Sequence, residues 1–184
     1  MDHPAETLTS DQVTLRRWRL DDLDVIDRVV NESLETLLPW MPWAASHSRE
    51  TVFDYLARAQ ADWESGAAYN YAITADGGTV VGSCALMRRI GAGGLEIGYW
   101  IHPDWTGRGL VTMATAALTR EAFRLPGTTH VEVHHDEANK ASGAVPQRLG
   151  FTVVSRTEDA ERVSPGESGI TVVQRIDRGS AALI

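Results

Sequence analysis

The sequence predicts an α+β fold in which a mixed, mostly antiparallel central sheet carries helices on both faces. Apolar residues recur every three or four positions up to Gly66 and every second position after it, so helices give way to strands. Glycine-rich turns at residues 76–78 and 91–94 divide three consecutive strand-like segments, and helix-like and strand-like segments alternate after residue 107. A chain of 184 residues suits one domain, and we expect a single domain over residues 1–184.

The first third of the chain predicts one strand and two helices. Residues 13–18 form the strand, and Asp21 and Asp22 begin a helix, because acidic residues are favoured at the positive end of the helix dipole. The segment 39–43, with two prolines, ends that helix. Ser48 is a suitable N-cap for the second helix, which ends at Gly66. The apolar residues of the first helix lie on one face: Leu23, Ile26, Val30, Leu34 and Leu37.

The middle of the chain predicts an antiparallel meander. Tyr69, Tyr71 and Ile73 alternate with smaller residues, as in a strand. The Asp-Gly-Gly turn at 76–78 leads to a returning strand at 79–87, and the turn at 91–94 leads to a third strand at 95–102.

The last part predicts alternating helices and strands. A helix spans residues 107–123 and is broken at 126–127 by Pro-Gly. Val131 and Val133 mark a strand, residues 139–149 a short helix, and residues 151–155 and 170–176 the final two strands.

Composition and charge exclude several functional classes. Lys and Arg number 17 against 25 Asp and Glu, a net charge of −8, which argues against a nucleic-acid-binding surface. No run of about 18 apolar residues predicts a membrane span. Residues 1–13 lack a basic and apolar secretory signal, and the lone Cys84 cannot form an internal disulfide. We therefore expect a cytoplasmic protein.

The segment 102–112 is the most informative in the chain, because a strand leads through a glycine-containing turn into a helix. Free backbone N–H groups and the positive dipole end make a helix start an anion site. Gly107 and Gly109 let a phosphate approach the backbone, and Arg108 adds charge. The P-loop and dinucleotide motifs are both missing. From these residues alone, a phosphate site and an ordinary strand-to-helix turn remain open.

Four segments, taken together and in this order, resemble the GNAT N-acyltransferase superfamily in its RimJ/RimL-like branch. Residues 15–22 (LRRWRLDD) resemble the opening strand and acidic helix start, and 96–100 (EIGYW) the central strand. Residues 106–111 occupy the acyl-CoA pyrophosphate loop, and Asn139-x-x-Ser142 with 149–151 (LGF) resembles the second cofactor motif. The resemblance implies the GNAT fold and transfer of an acetyl or succinyl group from its CoA thioester to an amine, without a metal.

The resemblance also assigns the residues that hold acetyl-CoA or another short acyl-CoA. Thr106 stands where the superfamily usually has Gln or Arg, and Val111 where it prefers Gly or Ala. Both substitutions keep the backbone N–H donors. Pro146 stands where many members have a tyrosine that protonates the leaving thiolate. The implied cofactor-binding residues are Trp100, Ile101, His102, Thr106, Gly107, Arg108, Gly109, Leu110, Val111, Thr112, Asn139 and Ser142.

Two residues are candidates for catalysis. Glu96, on the central strand, matches the place of the general base in many members and is expected to act through water; the alternative is a structural carboxylate paired with an arginine. Ser142 matches a serine near the thiol and is a candidate acid; the alternative is a hydrogen bond to the pantetheine arm or the backbone. A backbone N–H near Trp100 or Ile101 is expected to stabilise the oxyanion.

The acceptor is the least defined part of the prediction. Trp40 and Trp43 are expected to line the acceptor cleft, with core packing as the alternative. The branch implies a protein N-terminal α-amine, as in ribosomal-protein acetylation, and commonly forms homodimers. A small-molecule amine, a lysine side chain or a non-catalytic acyl-CoA-binding module remain alternatives. No metal is expected at residues 134–137 (HHDE), because adjacent histidines on a strand point to opposite faces.

Overall fold

A computed structural model describes residues 3–158 and 164–180, so the predicted domain span of 1–184 extends beyond the described residues. The described residues confirm the predicted α+β class, with strands and helices in the expected order after residue 13. In chain order the elements are β1 (Thr7–Ser10), β2 (Val13–Arg17), α1 (Leu23–Leu37), α2 (Arg49–Ser65), β3 (Ala68–Ala75), β4 (Thr79–Met87), β5 (Gly94–Ile101), α3 (Leu110–Ala122), β6 (His130–Asp136), α4 (Lys140–Arg148), β7 (Thr152–Glu158) and β8 (Ile170–Asp177).

The strands form one sheet in the order β1-β2-β3-β4-β5-β6-β8-β7. Every neighbouring pair is antiparallel except β5 and β6, which are parallel, so the sheet is mixed and mostly antiparallel as predicted. β1 was not predicted; it is a four-residue polar strand that forms a hairpin with β2. The position of β8 between β6 and β7 was not predicted either.

Each face of the sheet has its own apolar core, and α1 and α3 lie on opposite faces. On one face Leu95 and Ile97 of β5 join a cluster with Leu118 of α3. On the other face Trp100 of β5 packs against a cluster that includes Val30 of α1. Alternate residues of β5 therefore point into two different environments, which we call the α3 face and the α1 face.

The junction of β5 and β6 is short. Only three residue pairs join the two strands, from Gly94 with His130 to Glu96 with Glu132. β4 continues to pair with β5 as far as Ile101, so the second half of β5 is bonded on that edge. On its other edge β5 separates from β6, and this opening positions the site described below.

The helix ends follow their capping residues. Ser48 Oγ accepts a hydrogen bond from the Thr51 backbone N–H at 3.1 Å, and Gly66 ends α2 with a φ of 76°. Left-handed backbone of this kind favours glycine, so both predicted bounds of α2 are confirmed. No helix among the described residues is both long and apolar enough to cross a membrane.

Candidate active site

A cavity of about 930 Å³ occupies the opening between β5 and β6. Its walls come from the end of α1, the second half of β5, the start of α3 and the length of α4. It therefore connects the helix start at residues 106–110 with the α1 face of the sheet. Eleven residues predicted from the sequence line it: Trp40, Trp100, Ile101, Thr106, Gly107, Gly109, Leu110, Val111, Thr112, Asn139 and Ser142.

The turn before α3 presents backbone donors to this cavity. The first amide bonded within the helix is that of Met113, which donates to the Gly109 carbonyl at 3.0 Å. The amides that precede it at the helix start are the four that an α-helix leaves free for an anion. Gly107 and Gly109 have φ angles of 73° and 75°, and a Cβ added at Gly107 would meet no atom within 4 Å. The loop is thus an open cradle with free backbone donors, which are the groups that bind a phosphate at a helix start.

Two predicted cofactor residues lie beside the cavity without lining it. Arg108 donates to the Asp104 carbonyl at 3.0 Å and its guanidinium stacks 4.5 Å from the Trp105 ring centroid. His102 accepts from the Asp104 backbone N–H at its Nδ1, and its Nε2 is 3.4 Å from Glu32 on α1. Their side chains therefore shape the turn before α3.

The free edge of β5 supplies candidate oxyanion donors. The His102 amide donates to the Val81 carbonyl of β4 at 2.7 Å. Successive amides of a strand point to alternate edges, so the amides of Ile101 and Tyr99 face the opening, while that of Trp100 faces β4. Of the two amides expected to stabilise an oxyanion, the strand geometry favours Ile101.

Ser142 lies across the opening from Tyr99, and their hydroxyls meet. Tyr99 Oη donates to the Ser142 carbonyl at 2.8 Å, and Ser142 Oγ donates to Tyr99 Oη at 3.4 Å. Burial raises the pKa of Tyr99 to about 12, so the phenol stays protonated at neutral pH. Asn139 caps α4, its Oδ1 accepting from the Ser142 backbone N–H at 3.1 Å.

Tyr99 also lines the cavity and is a site residue that was not predicted from the sequence. The alternation of residues along β5 places Tyr99 on the α3 face, opposite to Glu96. This alternation was the only feature of the sequence that could have indicated the position of Tyr99. Pro146, where many family members have the acidic tyrosine, is buried inside α4. Tyr99 therefore brings a phenol to the opening from the sheet, where α4 offers none at residue 146.

The first turn of α4 is also held in place by side chains of β6 and β8. Gln174 of β8 is fully buried, and its Nε2 donates to the Gly143 carbonyl at 2.9 Å. The His135 ring lies so close that a Cβ on Gly143 would come within 2.6 Å of its Cε1. Only glycine fits there, so α4 is held at a fixed distance from β6.

Glu96 is buried on the α1 face and paired with an arginine. Its two carboxylate oxygens accept from Arg89 Nε at 2.7 Å and Arg89 Nη2 at 2.5 Å. Glu96 Oε2 is also 3.9 Å from His134 Nδ1. Glu96 does not line the cavity, and the alternative anticipated from the sequence, a carboxylate held by an arginine, describes its geometry.

The two tryptophans expected at the acceptor cleft differ in position, because Trp43 does not line the cavity. Trp40 lines the cavity. Trp43 is 42% exposed, and its ring centroid is 6.2 Å from that of Trp100. Within residues 3–158 and 164–180 no group of three or more His, Cys, Asp or Glu is arranged to hold a metal ion. His134 contacts Glu132, whereas His135 contacts Gln174 on the other face.

Comparison with known proteins places these features in context. The family described as the acetyltransferase (GNAT) domain matches residues 12–152. YdaF of Bacillus subtilis strain 168, named as a candidate ribosomal N-acetyltransferase, is 26% identical over 160 residues, which cover 82% of this chain and 83% of YdaF.

Two solved structures share the fold. RimL, the ribosomal L7/L12 alpha-N-protein acetyltransferase solved with coenzyme A, superposes with a TM-score of 0.85 at 20% identity, covering 94% of this chain and 98% of RimL. The microcin C7 self-immunity acetyltransferase MccE, solved with acetyl-CoA and AMP, gives 0.83 at 20% identity, covering 91% and 93%. These similarities confirm the predicted fold.

Proposed function

Because the chain belongs to the GNAT acetyltransferase family, we propose that it transfers the acetyl group of acetyl-CoA to the α-amine at a protein N terminus. The main observation that supports this proposal is the cavity. It joins the open helix start at Gly107 to the α1 face through the gap between β5 and β6. The similarity to YdaF and RimL, whose names describe ribosomal protein N-acetyltransferases, supports the RimJ/RimL-like branch and this acceptor.

The residues at the start of α3 fit the pyrophosphate of CoA. The amides of 109–112 and the dipole of α3 provide the positive potential, and the empty space at the Gly107 Cβ position provides room. The pantetheine arm would lie along the opening, where it would contact Trp100, Ile101, Asn139 and Ser142. A bound acetyl thioester supplies an activated carbonyl.

The reaction needs few protein groups. A neutral amine attacks the thioester carbonyl carbon, the C–N bond forms and the C–S bond breaks. The Ile101 amide is oriented to donate to the carbonyl oxygen as negative charge develops there. An α-amine, with a pKa near 8, is about a tenth neutral at pH 7, whereas a lysine amine is about 10⁻³ to 10⁻⁴ neutral. An N-terminal acceptor therefore makes the smaller demand on a base.

Ser142 and Glu96 are the proposed functional side chains nearest the chemistry. Ser142 Oγ lies at the cavity wall, from which it can donate to the leaving sulfur. Glu96 lies on the α1 face, from which the acceptor enters, and can orient a water toward the amine. The bidentate contact with Arg89 fixes that carboxylate in place.

The test is thiol release from acetyl-CoA with a matched set of acceptors. We expect turnover with peptides that carry a free α-amine, and none with the same peptides blocked by N-acetylation. A peptide with a blocked terminus and one lysine, and a panel of small amines, test the other acceptors. Turnover only with the lysine peptide or the small amines would contradict the N-terminal assignment.

The donor is tested in the same assay by replacing acetyl-CoA with succinyl-CoA. We expect a preference for acetyl-CoA, because the described residues that line the cavity are mostly apolar or small, with Arg148 as the one charged side chain among them. A preference for succinyl-CoA would instead indicate that Arg148 binds the succinyl carboxylate. CoA binding without thiol release from any donor and acceptor would favour a non-catalytic acyl-CoA-binding module.

A further inference from the structure

Charged side chains on β6 and β8 form a network on the α1 face. Glu132 is 5% exposed, and its Oε1 accepts from Arg175 Nε at 2.8 Å and Arg175 Nη2 at 2.6 Å. Its other oxygen, Oε2, is 2.7 Å from His134 Nε2. Burial acts to raise the pKa of Glu132, but the hydrogen bonds with His134 and Arg175 outweigh it and lower the pKa below its usual value. Glu132 is therefore a fixed anion beside an imidazole.

This contact determines the tautomer of His134. A carboxylate is an acceptor, so a neutral imidazole bonded to it through Nε2 carries its proton on that nitrogen. The lone pair is then on Nδ1, which is 3.9 Å from Glu96 Oε2. A carboxylate that holds one imidazole nitrogen while the other stays open is the arrangement by which many enzymes orient a histidine base.

Glu96 is less suited than His134 to accept a proton. Arg89 donates a hydrogen bond to each of its two oxygens, so both are already acceptors in this ion pair. The 3.9 Å separation between Glu96 Oε2 and His134 Nδ1 exceeds a direct hydrogen bond, but one water can bridge two atoms at this distance.

His134 is also well placed along the strand. Glu96 and Glu132 form the last pair of the β5–β6 junction, and His134 is the next residue of β6 on the same face. Its counterpart on β5 is Gly98, and the Met87 side chain lies over this glycine, because a Cβ there would come within 3.0 Å of Met87 Cε. The ring therefore lies beside Glu96 on the α1 face, and neither of these two side chains lines the cavity itself. The side chain is 29% exposed, so a proton on it can reach solvent.

We propose that His134, oriented by Glu132, is the general base, and that it takes the proton of the attacking amine through a water held between its Nδ1 and Glu96. The proposal rests on the proposed function. The amine nitrogen forms its bond to the carbonyl carbon and loses a proton to the water, which passes one to Nδ1. The electron pair of the broken C–S bond goes to sulfur, which is protonated from Ser142 or solvent. The imidazolium then returns its proton to solvent.

The proposal predicts a characteristic pH dependence. An imidazole base is active only when neutral, so kcat/KM rises with pH through a limb of its own, in addition to the limb of the α-amine near 8. The charged groups around the ring are Glu96 and Arg89 on the β5 side, and Glu132 and Arg175 on the β6–β8 side. These are two carboxylates and two guanidiniums, so their formal charges balance.

The test is the pH profile of kcat/KM for His134→Gln, with an α-amine peptide as acceptor. We expect the imidazole limb to disappear and the rate at pH 7 to fall by about tenfold, because about a tenth of an α-amine is already neutral at that pH. Raising the pH toward 9 recovers part of the loss by supplying neutral amine. CoA affinity and melting temperature stay near wild type, because His134 lies outside the cofactor cradle.

Three further variants sharpen the result. His3→Gln is the control: it changes an exposed histidine whose ring contacts Tyr69 and which has no contact with Glu132 or Glu96, so the profile should not change. Glu132→Gln should move the limb to lower pH, because the imidazolium loses its anionic partner. Glu96→Gln should lower the rate but keep the limb.

A measurement without turnover tests the same geometry. In the free protein at pH 8, ¹⁵N NMR should show His134 as the Nε2–H tautomer. An Nδ1–H tautomer would overturn the proposal. So would a His134→Gln variant with the wild-type limb, or loss of the limb in Glu96→Gln alone, which would make Glu96 the base. Failure of the wild-type protein to acetylate any amine would instead reject the proposed function itself.

Discussion

At the scale of single residues, the hydroxyl of Tyr99 joins two parts of the chain that the backbone leaves apart. It extends from the free edge of β5 to the Ser142 carbonyl at 2.8 Å, in the first turn of α4. The same oxygen accepts from Ser142 Oγ at 3.4 Å. Tyr99 is therefore a positioning residue for Ser142.

Removal of that hydroxyl should act through Ser142. Tyr99→Phe loses about one hydrogen bond, worth roughly 0.5–1.5 kcal/mol, or about 2- to 10-fold in kcat/KM. Ser142→Ala should lower kcat by about 10²-fold if it is the acid, and change only the KM for acetyl-CoA if it only binds.

The double variant separates positioning from general destabilisation. If Tyr99 acts only through the Ser142 hydroxyl, Tyr99→Phe adds nothing to Ser142→Ala in kcat. Tyr55→Phe is the control, since its hydroxyl is buried with partners at 3.5 Å and lies outside the cavity. Additive losses in kcat would show that Tyr99 does not act through Ser142.

A substitution at Gly107 tests whether the turn before α3 binds the cofactor. Gly107→Glu places a side chain and a negative charge in the open space where a phosphate is proposed, so CoA affinity should fall well over tenfold, or about 1.4 kcal/mol. Gly77→Glu is a matched control: its φ of 79° resembles the 73° of Gly107, and its Cβ position is equally open, but it lies in the β3–β4 turn.

The CoA affinity of both variants can be measured by calorimetry. The two variants share the strain of a side chain in left-handed backbone, so the difference between them reports the site alone. Equal CoA affinity in folded Gly107→Glu and Gly77→Glu would reject the pyrophosphate assignment.

At the scale of elements, the connection between α1 and α2 carries the proposed acceptor contact. A short 3₁₀ turn, Pro42–Ser46, presents Trp43, which remains 42% exposed while packing against Trp100. A large exposed aromatic beside an active-site cavity is typical of a binding surface.

Trp43→Ala should therefore affect the acceptor and not the donor. Loss of an aromatic contact of about 0.5–1.5 kcal/mol raises the KM for the peptide about 2- to 10-fold. The KM for acetyl-CoA should stay unchanged. Phe53→Ala removes a comparably exposed aromatic, 50% exposed on α2, and should change neither. A change in the acetyl-CoA KM alone would contradict the acceptor role.

Some elements were predictable and one was not, for physical reasons. The bounds of α2 follow from Ser48 and Gly66, whose conformational preferences are local. β1 is four residues of alternating exposure, and its stability comes from pairing with β2 through the turn at Asp11. Local periodicity in so short and polar a segment is too weak to predict a strand.

At the scale of the whole molecule, Asp136 ties the end of β6 to the segment before β8. Its carboxylate accepts from the backbone of Ala138 at 2.7 Å, Ser168 at 2.9 Å and Gly169 at 3.0 Å. Burial alone would raise the pKa of Asp136, but these hydrogen bonds outweigh it and lower the pKa to about 2.

The free energy of unfolding should reflect this contact. Because the folded pKa lies below the usual value of 3.8, the stabilisation is fully present above pH 4 and is lost as the pH falls toward 2. Asp136→Asn should be less stable than wild type to urea at pH 7, and the difference should shrink between pH 4 and 2. Asp54→Asn, on the exposed face of α2, should show no such difference. A constant gap across this pH range would contradict the assignment.

The site was predictable only where its residues are consecutive in the chain. The helix start at 106–112 and the Asn139–Ser142 turn are local patterns, and both line the cavity. The pairing of Glu96 with Arg89, and of His134 with Glu132, depends on which strands are neighbours and in what register. Alternation along β5 fixes the face on which Glu96 lies, but not the partner that it meets there.

The three-pair junction of β5 and β6 also bears on how the protein fluctuates. It divides the sheet into a five-stranded and a three-stranded block, each of which is a candidate cooperative unit for partial unfolding. The amides of Tyr99 and Ile101 lie at the boundary without a strand partner on that edge, so their hydrogens should exchange with solvent through a small local opening. The Trp100 amide, bonded to β4, should exchange only when a larger unit opens. A ligand bound along the free edge would slow hydrogen exchange at Tyr99 and Ile101 and leave exchange at Trp100 unchanged. Neighbouring amides of one strand would thus show whether the site is occupied, without any measurement of turnover.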